Sequence, residues 1–266
     1  RVISMSRFST SIIMLLGALT LGYAQDRPQD VPEDAPKDSV EFKQTYGLRV
    51  GADLSRLVLS FTDENYQGLE LVGDYRLTQK LYIAAEIGNE EKTQTEELDN
   101  IALYDFTTSG SYIKAGIDWN TYENWYGMNN VITIGGRYAF SSFSQTLNDY
   151  VIYNSDRFFN EDGFLPGAQP NEEFSGLNAS WLEFVLGVKA ELFANIYLGV
   201  SARLGFLITN KEAERFPNLW IPGFNRVTDG SNFGVGYNYS ISYFIPLYKK
   251  AKKKKKEETE GSEPQE

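Results

Sequence analysis

The chain has 266 residues, a formal net charge of −11 at pH 7, 17 tyrosines, 17 phenylalanines and 23 glycines, and it contains no cysteine and no histidine. Lacking these two residue types, it cannot form disulfides, thiolate sites or Ser-His-Asp triads, and it lacks the commonest transition-metal ligand. The acidic balance also makes nucleic acid a poor partner.

The N-terminal residues read as a targeting segment followed by a linker. Residues 1–24 have the pattern of a signal peptide, with a positive charge at Arg7, a short apolar core at 12–21 and a small-x-small cleavage site at 22–24. Residues 25–44 are rich in proline and acid and lack periodicity, which predicts a disordered linker. We interpret this linker as a solvated spacer, with a partner-binding segment as the alternative.

From residue 45 to residue 248 the sequence alternates between apolar and polar side chains, which is the pattern of β-strands. Eight segments carry it, with apolar faces over residues 46–54, 69–77, 81–87, 113–119, 132–140, 182–192, 196–208 and 233–247. The last face spans eight alternate positions, longer than the usual strand of a soluble sheet. A tilted strand that crosses a bilayer needs about nine to eleven residues. The pattern therefore predicts eight membrane-crossing strands.

The predicted connections differ in length. Two-residue turns are predicted at Thr78-Gln79 and Ala194-Asn195, and long polar loops near 92–108, 145–179 and 210–230. Outer-membrane barrels combine short periplasmic turns with long surface loops, and an even strand count places both termini in the periplasm. We therefore predict an all-β fold, an eight-stranded antiparallel up-and-down transmembrane β-barrel with N- and C-terminal periplasmic tails. The second tail, residues 249–266, has seven lysines followed by acidic residues and is expected to be disordered and solvated, with contact to anionic head groups or an acidic partner as the alternative.

The polar face of these strands is rich in glycine and in charges of both signs. A soluble barrel of the lipocalin type would place apolar side chains inward, whereas a narrow polar lumen must limit side-chain volume, so the glycines favour the membrane barrel. Thirteen charged side chains are expected in the lumen, six basic and seven acidic: Arg49, Asp53, Glu70, Asp74, Arg76, Glu86, Lys114, Asp118, Arg137, Glu183, Lys189, Glu191 and Arg203. Because an isolated buried ion is costly, these near-equal numbers predict an ion-pair network that plugs the lumen.

Aromatic residues near the strand ends are expected at the membrane interfaces, where such side chains form belts. These residues are Tyr46, Tyr75, Trp119, Trp125, Trp181 and Phe244. Another aromatic segment, residues 220–230, combines Trp220 and Phe224 with proline and glycine at the predicted outer side. We interpret it as a lid over the barrel mouth, with a recognition loop as the alternative.

No pattern of residues indicates catalysis, a cofactor or a metal site. Neighbouring carboxylates such as Glu70 and Asp74 would suit acid–base chemistry, but arginine and lysine on the same face favour ion pairing. The acidic segments 89–100 and 159–164 lack the ligand spacing of a calcium loop. A membrane-embedded hydrolase or acyltransferase is disfavoured, because small barrel enzymes of that kind use histidine. We expect a protein that is not an enzyme and has no cofactor.

Several segments resemble a known family. YGLRVGADLSR, GDYRLTQKLYIAAEIG, SGSYIKAGIDWN, GGRYAFSSFSQTL and WLEFVLGVKAEL are similar to an uncharacterised family of small outer-membrane β-barrel proteins of the Bacteroidetes. Residues 232–239 also resemble the terminal-strand signal read by the barrel-assembly machinery. The resemblance covers the whole barrel and implies its fold and its outer-membrane location in a Gram-negative bacterium. It brings no catalytic residues, and the lysine-rich tail departs from barrels that end on an aromatic residue.

Together these observations predict a non-enzymatic outer-membrane barrel with a plugged lumen. We expect a structural or accessory subunit of a cell-envelope complex, in contact with outer-membrane lipid and with other outer-membrane or periplasmic proteins. The alternative is a small transporter or ligand-binding barrel that acts through its extracellular loops.

Overall fold

The computed structural model describes residues 43–98, 101–122, 129–153, 164–166, 171–213, 217–227 and 230–251. The predicted signal peptide, nearly all of the linker, the tail beyond residue 251 and Trp125 lie outside these residues. In chain order the elements are β1 (Lys43–Asp53), α1 (Leu54–Thr62), β2 (Tyr66–Arg76), β3 (Leu81–Leu98), β4 (Ile101–Asn120), β5 (Val131–Tyr153), β6 (Phe164–Pro166), β7 (Glu172–Phe193), β8 (Ile196–Lys211), β9 (Trp220–Ile221), β10 (Asn225–Arg226) and β11 (Phe233–Ala251).

Eight long strands close into a cylinder. Their order is β4-β3-β2-β1-β11-β8-β7-β5, and β5 pairs back onto β4, so the sheet has no free lateral end. Every one of these pairings is antiparallel, and the seam between β1 and β11 runs from Lys43 opposite Ala251 to Asp53 opposite Ser240. The predicted eight-stranded up-and-down β-barrel is confirmed.

The two faces of the wall are those of a barrel surrounded by lipid. On β3, Ile83 and Ile87 are exposed on the outside, whereas Tyr82, Ala84 and Glu86 are buried inside. The other long strands carry the same apolar outer face, with Leu71, Ile117, Tyr138, Leu186, Val200 and Ile241 among its exposed side chains. A soluble barrel has the opposite arrangement, which removes the lipocalin-type alternative.

One end of the barrel has short turns. The predicted turn at Ala194-Asn195 is present, and Asn195 adopts a left-handed φ of 70°, a conformation that asparagine tolerates better than most residues. The other predicted turn is longer, since β2 ends at Arg76 and β3 begins at Leu81. There the Thr78 hydroxyl accepts hydrogen bonds from the N–H groups of Lys80 and Leu81 at 3.3 and 3.0 Å. We call this the turn end and the opposite end the loop end.

At the loop end, two predicted loops are wrong because the strands continue. Most of the segment 92–108 belongs to β3 and β4, which remain paired past Thr93 and Thr107, whose hydroxyls lie 2.8 Å apart. Likewise β5 and β7 take up both ends of the segment 145–179. The β3 extension is polar on both faces, so it lacks the alternation by which strands are detected in a sequence. The facing extensions of β4 and β5 are mixed, with Phe106 and Leu147 buried.

A helix that the alternation does not predict follows β1. Leu54, expected as the last apolar residue of the first strand, instead begins α1. The Asp53 carboxylate caps the helix by accepting hydrogen bonds from the N–H and the hydroxyl of Ser55 at 2.7 and 2.6 Å. α1 packs against β2 and β11, and the Ser60 hydroxyl bonds the backbone N–H and C=O of Gly68 on β2. No helix among the described residues is long and apolar enough to cross a membrane.

The short hairpin of β9 and β10 folds inward at the loop end, as the lid interpretation requires. Ile221 and Phe224 are buried, and the Phe224 ring packs edge-on against Trp181 with centroids 5.6 Å apart. A side chain at Gly205 or Gly234 would collide with the Phe224 ring, so these two glycines make room for it. An apolar cluster therefore closes this end of the interior.

Candidate functional site: the charged interior

The alternation of the strands brings charged side chains into the barrel. Nine of the thirteen predicted lumen residues are buried: Arg49, Asp53, Glu70, Asp74, Glu86, Lys114, Asp118, Arg137 and Glu183. The other four are partly buried: Arg76, Lys189, Glu191 and Arg203. Most of them form contacts in three layers along the barrel.

The middle layer is centred on Glu86 of β3. Both oxygens of its carboxylate accept hydrogen bonds from the Arg203 guanidinium, at 2.5 and 3.1 Å. Arg137 Nε and Lys114 Nζ lie 3.6 and 4.0 Å from the same carboxylate. Three cations therefore surround one buried anion, which compensates the cost of removing it from water.

Two further carboxylates balance the cations of this layer. Asp118 receives a two-pronged pair of hydrogen bonds from Arg137, both at 2.8 Å. Glu183 lies 3.0 Å from Lys114 Nζ and 3.3 Å from Arg203 Nη1. It also accepts a hydrogen bond from the Trp181 indole N–H at 2.7 Å.

Toward the turn end, Asp74 lies between two cations. Arg49 donates to one carboxylate oxygen at 2.7 Å, and Lys189 donates to the other at 2.5 Å. The Arg49 guanidinium also lies over the rings of Tyr82 and Tyr197, 4.9 and 5.2 Å from their centroids. Such cation–π contacts favour a desolvated arginine.

Toward the loop end, the layer is built on two residues that the sequence analysis missed, Arg56 and Glu90. Arg56 of α1 forms a 2.8 Å ion pair with Glu90 of β3, whose side chain is fully buried. Tyr112 donates to Glu70 at 2.6 Å and lies within hydrogen-bond distance of Glu90 at 3.2 Å. Asn238 donates to the second oxygen of Glu70 at 3.0 Å.

A signal for Glu90 was present in the sequence. It continues the inward series of Glu86 and Gly88 by one more step, but it was not predicted because a loop was expected to start near residue 92. Arg56 had no comparable signal, because it reaches the interior from an unexpected helix.

Two ion pairs cross the full width of the barrel. In the closed order of eight strands, β3 and β8 are four strands apart in either direction, and so are β2 and β7. Glu86 and Arg203 join the first two, and Asp74 and Lys189 join the second two. The lumen is therefore narrow enough for side chains of opposite walls to meet, as expected for eight strands.

Little free volume remains between these layers. A cavity of about 20 Å³ lies beside Arg56, Glu70 and Lys114, and another of about 40 Å³ lies beside Asp118 and Lys189. One water needs a cavity of about 10–15 Å³, so these two cavities hold a few waters at most. Among the described residues, no group of acidic side chains is placed to hold a metal ion.

The predicted interfacial aromatics divide into two groups. Trp119 is about half exposed on the outside, and Tyr75 is partly exposed. Trp181 is fully buried inside, because it is two residues from Glu183 and alternation places both on the inner face, which corrects the expectation for this residue. Tyr46 is likewise buried, beside an irregularity in the pairing of β1 with β11, and its ring stacks on Tyr248 with centroids 5.4 Å apart.

Phe244 also differs from its predicted interfacial place. It lies opposite the inward-facing Arg49 and packs edge-on against buried Tyr197, with ring centroids 6.2 Å apart. Trp125 lies outside the described residues.

Beyond the membrane-spanning part of the strands, an ion pair joins Lys92 to Asp63. Lys92 Nζ donates to Asp63 at 2.6 Å, and this hydrogen bond, assisted by one from the Asn65 N–H, lowers the pKa of the Asp63 carboxyl below its ordinary value. Asp63 therefore stays ionised when ordinary aspartates begin to take up protons.

Comparison with known proteins gives one structure and one family. The structure is the crystal structure of Ail, the attachment invasion locus protein of Yersinia pestis, in complex with the heparin analogue sucrose octasulfate. It is similar at 11% identity and a TM-score of 0.36, over 75% of this chain and 96% of that chain. No curated protein matches. The family model matches residues 5–250, and the chain therefore belongs to the family described as a domain of unknown function, DUF6048.

Proposed function

We propose that this chain is a non-enzymatic outer-membrane β-barrel protein with a closed lumen, which acts as a structural or accessory subunit of a cell-envelope complex. The observation that carries the proposal is the set of ion pairs that meet across the lumen, with cavities of about 20 and 40 Å³ beside them among the described residues. A barrel filled in this way offers no water path for a solute, so its contribution is made by its outer surface, loops and tails.

The outer-membrane location is supported by the apolar outer face. A bilayer-facing wall needs an apolar band, and here the exposed side chains of the long strands supply one. β1 begins and β11 ends at the turn end, and in such barrels the end with short turns is the periplasmic side. We infer that the two tails extend into the periplasm, where they would contact a periplasmic or outer-membrane partner.

Two measurements test the proposal. The protein should fractionate with the outer membrane and show a gel mobility that changes on heating; recovery in the soluble fraction would end the membrane proposal. After mild detergent extraction it should co-purify with another envelope protein in a fixed ratio, compared with an unrelated barrel of the same membrane carrying the same tag. If it migrates alone as a monomer under these conditions, the accessory-subunit role is wrong.

A further inference from the structure

The barrel wall is incomplete at the loop end between β2 and β11. β1 makes its last pairs at Ala52 opposite Leu71 and at Asp53 opposite Ser240, and then the chain turns into α1. Residues 66–70 of β2 and 233–239 of β11 therefore have no β1 residue between them. The wall is a continuous sheet on either side of this position but not across it.

α1 covers only part of the gap. Its Ser60 hydroxyl bonds both backbone groups of Gly68, so the helix is attached to the β2 side. Residues 233–239 of β11 pair with β8 on one side, and among the described residues they have no strand partner on the other. We call the remaining opening the lateral cleft.

The lateral cleft has the volume of a ligand site. It measures about 340 Å³ and is lined mainly by Arg56 and Leu59 of α1, Tyr66, Lys92, Trp220 and Tyr237. Small-molecule sites usually measure about 300–1,000 Å³, whereas the interior cavities measure about 20 and 40 Å³. This opening is therefore of a different kind from the gaps between the ion pairs.

The lateral cleft passes through the wall. Its β11 lining includes Val235 and Tyr237, which are exposed on the outer face, and Gly236, whose position faces Asn225 and Arg203 inside. A molecule in the cleft would therefore contact the outer face and the barrel mouth at once.

The chemistry of the lining changes along this path. On the outside, Val235 and Tyr237 continue the apolar face that Phe233 forms with Phe206 of β8, whose ring centroids are 5.1 Å apart. Toward the interior the lining becomes polar, with the Arg56 guanidinium and the amide of Asn225 joined by a 3.0 Å hydrogen bond.

The charged side chains of the lining are Arg56, Lys92 and Asp63, so cations outnumber carboxylates by one even though Asp63 is paired with Lys92. The indole N–H of Trp220 is buried and has no hydrogen-bond partner among the described residues. An unpaired buried donor is costly, so an oxygen acceptor brought by a ligand would be favoured there after a small shift of the ring. Acceptor oxygens at one end and an apolar body at the other define an amphiphile.

We propose that the lateral cleft binds one phospholipid from the surrounding membrane. An acyl chain lies along Leu59, Val235 and Tyr237, and the phosphate and ester oxygens lie near Arg56, Lys92 and Trp220. This site rests on the proposed membrane location, since only a barrel in a bilayer presents the outer opening to lipid.

The test compares two glycine-to-leucine variants of the full chain. Gly236→Leu places a side chain in the cleft, where the first added carbon lies 3.4 Å from the Asn225 amide and meets no backbone clash. Gly73→Leu is the matched control, because Gly73 lies in the outer wall, lines a different surface groove and also has space for a side chain. Both variants are first checked for heat-dependent gel mobility, which shows that the barrel has formed.

The readout is lipid binding to the purified protein in detergent, with phosphatidylethanolamine as the probe and native mass spectrometry as the detector. We expect one lipid to remain bound to the wild type and to Gly73→Leu. The fraction of Gly236→Leu that carries a lipid should be at least tenfold lower. Equal retention by all three would overturn the proposal. So would a lipid-free dimer, which would assign the open edge of β11 to pairing between two copies.

Two further results separate the possible failures. Vesicles are prepared from lipids whose acyl chains carry bromine, which quenches nearby indoles. Because Trp220 lies beside the bound lipid, the bromine should quench a larger fraction of the fluorescence in the wild type than in Trp220→Phe. Displacement of the lipid by glycerophosphoethanolamine alone would contradict a site that needs an acyl chain. A protein that fails to insert into vesicles at all would refute the membrane location itself, whereas insertion with equal binding by the two leucine variants would refute only the lateral cleft.

Discussion

Glu86 illustrates how this barrel tolerates charge where a protein core usually excludes it. Its carboxylate is bonded to Arg203 and lies within 4.0 Å of Arg137 and Lys114. Each cation has at least one further carboxylate partner, Asp118 or Glu183. The layer holds three cations and three carboxylates, so removal of any one member leaves an excess buried charge, which is the costly outcome for buried pairs.

We therefore expect Glu86→Gln to lower the free energy of unfolding by about 3–5 kcal/mol, because it leaves three buried cations around a neutral amide. Urea unfolding in lipid vesicles, followed by tryptophan fluorescence, measures the change. Glu91→Gln on the same strand is the control, since Glu91 is exposed and its replacement should cost less than about 0.5 kcal/mol. Equal stabilities of the two variants would show that the interior charges are hydrated.

The Lys92–Asp63 pair predicts a pH dependence outside the membrane. The pKa of Asp63 is lowered in the folded protein, so the pair contributes stability above the ordinary aspartate pKa and loses it as the pH falls through the lowered value. An exposed pair is worth at most about 1 kcal/mol, so the titration is a better readout than stability. In Lys92→Met the pKa of Asp63, followed by carbon NMR in micelles, should rise. An unchanged titration curve would exclude Lys92 as the cause.

At the scale of elements, the β9–β10 hairpin packs into the interior through Ile221 and Phe224. Phe224 inserts between Trp181 and the glycines at 205 and 234, where no other residue type leaves room. The hairpin meets the middle layer at Trp181, which packs on Phe224 and donates to Glu183, but the ion pairs of Glu86 with Arg203 and of Arg137 with Asp118 include no hairpin residue. We therefore expect those ion pairs to remain when the hairpin is removed.

Phe224→Ala should lower the free energy of unfolding by about 3–5 kcal/mol, as for other buried phenylalanines, through lost contacts and a new cavity. Phe61→Ala on α1 is the matched control, because Phe61 is 88% exposed and its truncation removes few contacts. Unfolding midpoints in the same vesicles compare the two. If Phe61→Ala were the more damaging substitution, the hairpin would not be an essential part of the packed interior.

The elements show which parts of this fold a sequence can predict. Alternation identified all eight strands and most of the inward charges, though not Glu90 or Arg56, because lipid outside and ions inside impose opposite demands on the two faces of a strand. It failed where both faces meet water, as beyond Thr93, and where the chain leaves the sheet, as at Leu54. The irregular pairing beside Tyr46 also escaped it, whereas alternation itself places Trp181 on the inner face with Glu183.

For the whole molecule, the ion pairs predict an electrically silent barrel. In planar bilayers the wild type should show no steady conductance across salts and voltages, because its interior spaces hold only a few waters. Replacing residues 217–227 by a short flexible linker should leave it silent, since the middle layer remains. A steady ion conductance in the wild type would refute the closed lumen. A steady conductance in the linker variant alone would show that the hairpin closes the lumen.

The ion pairs between opposite walls also determine how the barrel responds to force. Hydrogen bonds between neighbouring strands fix the circumference of a cylinder but not its roundness, so a hollow eight-stranded tube can flatten without losing any of them. Glu86 with Arg203, and Asp74 with Lys189, join walls that flattening along one axis would push apart. These two ion pairs therefore resist flattening of the cross-section at two positions along the barrel axis. When the membrane is compressed or thinned, the lipid must deform around this protein, because the protein keeps its shape.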